Sequence, residues 1–207
     1  VMHDGACCSS LGVPGWPSLA EEQMVQRDID LVRATGAKMH FLHLSTQGSV
    51  QMVREAKAEG LPITAEVTPH HLSLLDELLT SFDPIFKVNP PLRTAADIAA
   101  LKAGVLDGTI DAIATDHAPH AGHTKEQPLD QAPPGMLGLE TALAVVNTSM
   151  DLDARKIVEL MSWNPARIAG LDARHGRAVA VGEPANLCVW NTADVWEVSR
   201  EGLASKS

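Results

Sequence analysis

Ala114-Thr115-Asp116-His117-Ala118-Pro119-His120 places one aspartate and two histidines directly after the apolar run 110–114. Such a run reads as a buried strand, so the acidic and imidazole groups fall at its C-terminal end. In an α/β barrel that end carries the active site. Asp and His side chains on one strand tip can hold a divalent metal and move protons at neutral pH. The competing reading is an Asp capping a loop beside two surface histidines.

Three upstream clusters sit in the same way: Phe41-Leu42-His43-Leu44-Ser45-Thr46, Glu66-Val67-Thr68-Pro69-His70-His71-Leu72 and Lys87-Val88-Asn89-Pro90-Pro91-Leu92-Arg93. Each ends an apolar, partly β-branched run and precedes a helix-like stretch. Four polar clusters at four strand ends are more than scattered surface histidines would give.

The elements that must position them alternate. Strands are expected over 38–44, 62–67, 85–88 and 110–115, and helices over 18–35, 47–59, 71–80 and 94–106. A long proline-bearing loop follows, then helical stretches over 139–147, 153–162 and 165–169. Ser18 is the expected cap of its helix, with Glu21 three residues on and Gly36 as the stop. Thr94 caps its own helix, with Asp97 in the first turn. Strand–helix alternation argues for a parallel sheet. Four such units are half of an eight-stranded barrel. The fold class expected is therefore α/β, a partial (β/α)8 TIM-type barrel (its C-terminal half) over 1–175. A truncated β unit over 176–207, part of a small β-sandwich, follows, with apolar runs at 178–181 and 187–190.

Composition narrows the function. The chain has 207 residues, 45% hydrophobic and 20% charged, with a formal charge of −10. That is an ordinary composition for a globular core. It carries no Lys/Arg run, and an acidic chain lacks the basic footprint of a nucleic-acid binder. Tyr is absent and aromatics are 3%, which disfavours stacking on bases. No apolar stretch reaches the length of a membrane span. The start, Val1-Met2-His3-Asp4-Gly5, has no basic n-region or apolar h-region of a secretory signal. Cys7, Cys8 and Cys188 are odd in number and two are adjacent, so reduced thiols and a cytoplasmic location are expected.

Among single residues, His40 and His43 lie three apart and point to opposite faces of a strand. His43, nearer the C-terminal end and on the face of Phe41, is the candidate metal ligand; His40 is read as structural. Asp116 can bind a metal and also accept a proton from metal-bound water, then deliver it to a leaving nitrogen. His120 can bond a substrate carboxylate, and His117 can orient Asp116. His70, His71 and Arg93 are equally well read as turn caps or surface charge. Asn89 offers both donors and acceptors to an amide-like substrate. The segment Pro133-Pro134-Gly135 presents backbone groups to a ligand.

Taken in order, His43-Leu-Ser-Thr, Glu66-Val-Thr-Pro-His-His-Leu, Lys87-Val-Asn-Pro-Pro-Leu-Arg, the Thr115-Asp-His-Ala-Pro-His stretch and Pro134-Gly-Met-Leu-Gly-Leu-Glu resemble class I dihydroorotase of the amidohydrolase superfamily. The resemblance covers nearly the whole chain. Single pieces are shared with allantoinases and hydantoinases, but Asn-Pro-Pro-Leu-Arg together with Thr-Asp-His-Ala-Pro-His favours dihydroorotase.

The resemblance implies zinc-dependent, reversible hydrolysis of dihydroorotate to N-carbamoyl-aspartate in pyrimidine synthesis. It implies one or two Zn2+ in the complete protein. It makes His43 a zinc ligand, Asp116 a zinc ligand and proton shuttle, and Asn89, His120, Pro133 and Gly135 substrate contacts. Expected partners are the small-molecule substrate, further copies of the chain and, for non-catalytic relatives that act as scaffolds, aspartate carbamoyltransferase; neither nucleic acid nor membrane is expected. Alternatives are another cyclic amidohydrolase of the allantoinase or hydantoinase type, or such a scaffold subunit. The family's His-x-His pair with its following Arg, its bridging Asp or carboxylated Lys, and its His-x-Glu-Asp-like motif are not in this sequence. His3 in Met2-His3-Asp4-Gly5 resembles a segment just after that last motif. The 207 residues alone are therefore expected to be inactive.

Overall fold

The computed structural model describes residues 1–205. It opens with a two-residue parallel pair, β1 (Met2–His3) and β2 (Gly15–Trp16), on either side of α1 (Ala6–Leu11). Then α2 (Ser18–Thr35), β3 (Met39–Phe41), α3 (Gln47–Ala58), β4 (Ile63–Val67), α4 (Ala95–Asp107) and β5 (Ala112–Ile113) follow in alternation. The last part is helical: α5 (Gly122–Lys125), α6 (Ala142–Ser149), α7 (Ala154–Val158), a π-helical turn over Glu159–Trp163 and α8 (Asn164–Ile168).

Strands β3, β4 and β5 form one parallel sheet in chain order, with Phe41 opposite Ala65 and Val67 opposite Ile113. The alternation along β4 explains its two faces. Ile63, Ala65 and Val67 are buried, and Thr64 and Glu66 are half-buried. The first set packs with Phe41 and Ile113 against Val25 and Ile29 of α2, Val50 and Val53 of α3, and Leu101 and Val105 of α4. The second set faces away with His40, whose ring bonds Thr64 Oγ1 at 2.8 Å and Glu66 Oε2 at 3.0 Å. Helices against one face of a sheet whose strands neighbour in chain order make a section of barrel wall, not a doubly wound sheet. The expected partial α/β barrel is the fold observed, and both ring nitrogens of His40 are spent within the sheet.

The N-terminal ends of the strands are tied by ordinary structural bonds. Asp111 Oδ2 accepts from Lys57 Nζ at 2.6 Å and from the Ala65 amide at 2.8 Å. At α4 Thr94 is the cap, as read, and it forms a capping box with Asp97: Thr94 Oγ1 accepts from the Asp97 amide at 3.3 Å, and Asp97 Oδ2 accepts from the Thr94 amide at 3.2 Å. Gly36 closes α2 in a left-handed conformation, φ 70°.

Several expectations are corrected. The stretch 85–88 is no strand: Pro84–Phe86 forms a 3-10 turn capped by Asp83, because Asp-Pro favours turn initiation. The helix expected over 71–80 is a turn followed by a 3-10 helix at Asp76–Ser81. Its first residues are held by a short run of backbone bonds, Leu72 to the Thr68 carbonyl and Leu74 to the His70 carbonyl, and by the side-chain bonds of Thr68 with His71. Three strands, not four, build the main sheet among the described residues.

Ser18 lies inside α2, and Pro17 takes the cap position with no side-chain bond, so the expected capping box does not form. In the tail no strand forms among residues 176–205, and Val179, Val181 and Val189 are exposed. A strand needs a neighbour to complete its hydrogen bonds, and no described segment pairs with these.

Candidate active site

His43 and Asp116 share a backbone property that their neighbours lack. Both have positive φ, 36° and 44°, and among the described residues the only other non-glycine of this kind is Phe82. Such conformations cost about 1–3 kcal/mol and persist where the surroundings over-determine them. Both residues sit just past a strand end, His43 after β3 and Asp116 after β5. At His43 the kink also ends the side-chain alternation.

Between them, at the end of β4, lies the turn Thr68–Leu72, all of it buried. Its two histidines differ sharply. His71 is fully bonded: Nδ1 accepts from Thr68 Oγ1 at 2.7 Å, and Nε2 donates to the Pro90 carbonyl at 3.1 Å. It joins this turn to the one that bears Asn89.

His70 is buried beside it, ring centroids 4.6 Å apart, but its Nε2 has no hydrogen-bond partner. A buried polar atom without a partner needs a reason. Burial, and then the neighbouring His71 and His43, push the His70 imidazole down to about 2, and burial lowers His71 to about 4. Both rings are neutral at physiological pH, the form in which imidazole binds a metal. His70 is the functional candidate the sequence left undecided. Its signal is burial with an unspent ring nitrogen, which no local pattern reveals.

His43, His70 and Asp116 are donors of the right chemistry for a divalent metal, and the orphaned Nε2 of His70 fits that use. Among the described residues no group of three or more His, Cys, Asp or Glu side chains converges closely enough to hold a metal alone.

The loop after β5 packs back on the site. His117 Nδ1 accepts from the amides of Gly138 and Leu139, both at 3.2 Å. Those two donors require an unprotonated Nδ1, so the neutral ring carries its proton on Nε2. His117 thus anchors the 138–139 backbone. His120 Nε2 donates to the Pro134 carbonyl at 3.0 Å. Lys125 Nζ donates to the Pro133 carbonyl at 3.0 Å, and the Gly135 amide donates to the Lys87 carbonyl at 2.8 Å. The Pro133 and Pro134 carbonyls and the Gly135 amide are therefore bonded internally, and a ligand reaching these groups must exchange with one of these partners. Asn89 is exposed at the tip of its turn.

Gly135 has φ +139°, and a Cβ there would lie 2.8 Å from both Ala118 Cβ and His120 Nε2. Gly135→Ala is expected to destabilise the fold by about 1–3 kcal/mol and to displace His120. Denaturant unfolding of the variant checks this; an unchanged midpoint contradicts it.

The residues 16–204 match the family model described as Amidohydrolase family. The chain is 51% identical over its whole length to a dihydroorotase of Mycobacterium leprae, and 49% identical to one of Streptomyces coelicolor; it covers 49% of each. The chain thus spans about half the length of the curated relatives it matches. An L-hydantoinase (dihydropyrimidinase) from Arthrobacter aurescens superposes with a TM-score of 0.76 at 29% identity, over 82% of this chain and 39% of that one. The match to the family model spans nearly the entire sequence, and the chain belongs to the amidohydrolase family.

Proposed function

We propose that the full-length protein is a dihydroorotase, a zinc-dependent enzyme that reversibly hydrolyses dihydroorotate to N-carbamoyl-aspartate. The observation that carries the metal-dependent part is the buried, unpartnered Nε2 of His70, within electrostatic reach of His43. The similarity to curated dihydroorotases over the entire chain supports the substrate.

In this reading His43, His70 and Asp116 supply part of the metal's ligands. Imidazole and carboxylate ligands suit zinc. A bound zinc supplies a Lewis acid and an acidified water. The Asp116 carboxylate takes the proton released as water adds to the ring amide carbon, and passes it to the departing ring nitrogen as that C–N bond breaks. His120, fixed by the Pro134 carbonyl, is placed to meet the substrate carboxylate. Asn89 offers its amide to the ring, and Pro133 and Gly135 form the facing wall. His117 holds the loop behind Asp116.

The same reading places the protein in the cytoplasm, in keeping with three free cysteines. No helix among the described residues is long and apolar enough to cross a membrane. The resemblance brings with it association with further copies or, for a scaffold subunit, with aspartate carbamoyltransferase. It also divides the chain into barrel (1–175) and tail (176–207).

A substrate panel on the full-length protein tests it. Dihydroorotate is expected to exceed dihydrouracil, which lacks the carboxylate, by about 10^4 in kcat/KM, the range for a site built around a missing polar group. Faster turnover of hydantoin or allantoin would assign the protein to those relatives instead.

A further inference from the structure

Glu21 sits three positions into α2 and does nothing for that helix's cap. Its carboxylate instead crosses to the segment that follows His43. Oε1 accepts from the Ser45 amide at 3.0 Å and from the Thr46 amide at 3.2 Å. Oε2 accepts from the Ser45 hydroxyl. The next amide, Gln47, donates to Asp97 Oδ1 at 2.9 Å, and the preceding one, Leu44, donates to the Glu66 carbonyl at 2.9 Å. Four consecutive amides after His43 are thereby fixed, two of them by Glu21. Gly48 permits the approach, since a Cβ there would collide with the Glu22 side chain.

Arg93 closes the arrangement from the other side. Its side chain is 1% exposed. It donates from Nε to Ser45 Oγ at 3.0 Å, and from Nη1 to the Trp16 carbonyl at 2.8 Å and to His3 Nδ1 at 3.2 Å. Ser45 Oγ spends its one proton on Glu21 and accepts from Arg93, so each atom of the chain of bonds has a defined role. Arg93 ends the segment that carries Asn89.

We propose that Glu21 is a positioning residue for His43: its carboxylate holds residues 44–46 in the conformation that keeps His43 at positive φ, and Arg93 couples that hold to the Asn89 turn. This inference rests on the reading of His43 as a metal ligand. Metal ligands are oriented by partners beyond them, and loss of such partners weakens metal binding by about 10–100-fold. Glu21 acts at one further remove, through the backbone. Gln in its place keeps the size, but its NH2 group cannot accept from Ser45, so the Ser45 hydroxyl proton loses its acceptor.

The test is zinc affinity of the full-length protein by chelator competition, with kcat, KM and a thermal melt on the same samples. E21Q is expected to weaken zinc binding by about 10-fold and to lower kcat by a similar factor, with KM for dihydroorotate changed less than about threefold. If E21Q does not fold, S45A removes only the hydroxyl and is expected to shift zinc affinity in the same direction, by about threefold.

Unchanged zinc affinity in a folded E21Q with a lowered melt would make Glu21 purely structural and overturn the proposal. H43A separates the two readings. If H43A leaves zinc binding intact, the metal-site reading fails and takes this inference with it. If H43A loses zinc and E21Q does not, only the positioning role fails.

Discussion

Asp116→Asn in the full-length protein is expected to lower kcat for dihydroorotate hydrolysis by about 10^4, the upper end of what a positioned acid–base group contributes. The position suits the substitution unusually well. Asp116 adopts φ 44°, and Asn enters this region as readily as Asp does. The side chain is half-buried at the end of β5, and the two residues are nearly isosteric. Fold and loop should therefore survive, and a melt within about 2 °C of the parent is the control. What the amide lacks is the negative charge and the capacity to accept a proton between water and ring nitrogen. A variant that keeps activity within tenfold would remove Asp116 from the proposed mechanism and leave its strained backbone unexplained.

The wall of the barrel was legible because its signals are local. Ile63, Ala65 and Val67 alternate with Thr64 and Glu66, and that period alone places one face against helices. Thr94 with Asp97, and Gly36 after Thr35, are end signals read within four residues. The candidate ligands His43 and Asp116 were legible from their places at strand ends. The features that escaped depend on residues far apart in the chain. Glu21 reads as half of a capping box until the donors of Ser45 and Thr46 draw its carboxylate away. His70 and His71 are indistinguishable in sequence. What separates them is the Pro90 carbonyl, 19 residues from His71, which occupies one ring and leaves the other unspent. Lys87 and Lys125 look like solvated charges, yet Lys87 donates to the carbonyls of Leu129 and Asp130, and Lys125 to those of Pro84 and Pro133. They hold the loop that carries His120. In the tail, β-branched runs gave a strand signal with no described neighbour to pair with; propensity without a ladder makes no sheet.

Residues 1–207 expressed alone are expected to hydrolyse no dihydroorotate, to hold less than one zinc per chain after dialysis, and to self-associate. Catalytic zinc takes three protein ligands and structural zinc four. The described residues contain no converging group of three such side chains. The sheet supports the same expectation. Each outer strand, β3 and β5, pairs on one side only, and its free edge is a template for pairing with another chain. Leu42 is 59% and Leu139 64% exposed, and a cleft of about 520 Å³ lies between His40, Glu66 and Thr115 on the sheet and Met161 and Ile168 of the C-terminal helical part, on the face away from α2, α3 and α4. In relatives twice as long, further chain is available to cover such a face. Metal analysis after dialysis, an assay, and light scattering across a concentration series check the three parts together. A monodisperse monomer holding one zinc and turning over substrate would mean that His43, His70 and Asp116 suffice, and that the other half of the relatives' length serves another purpose.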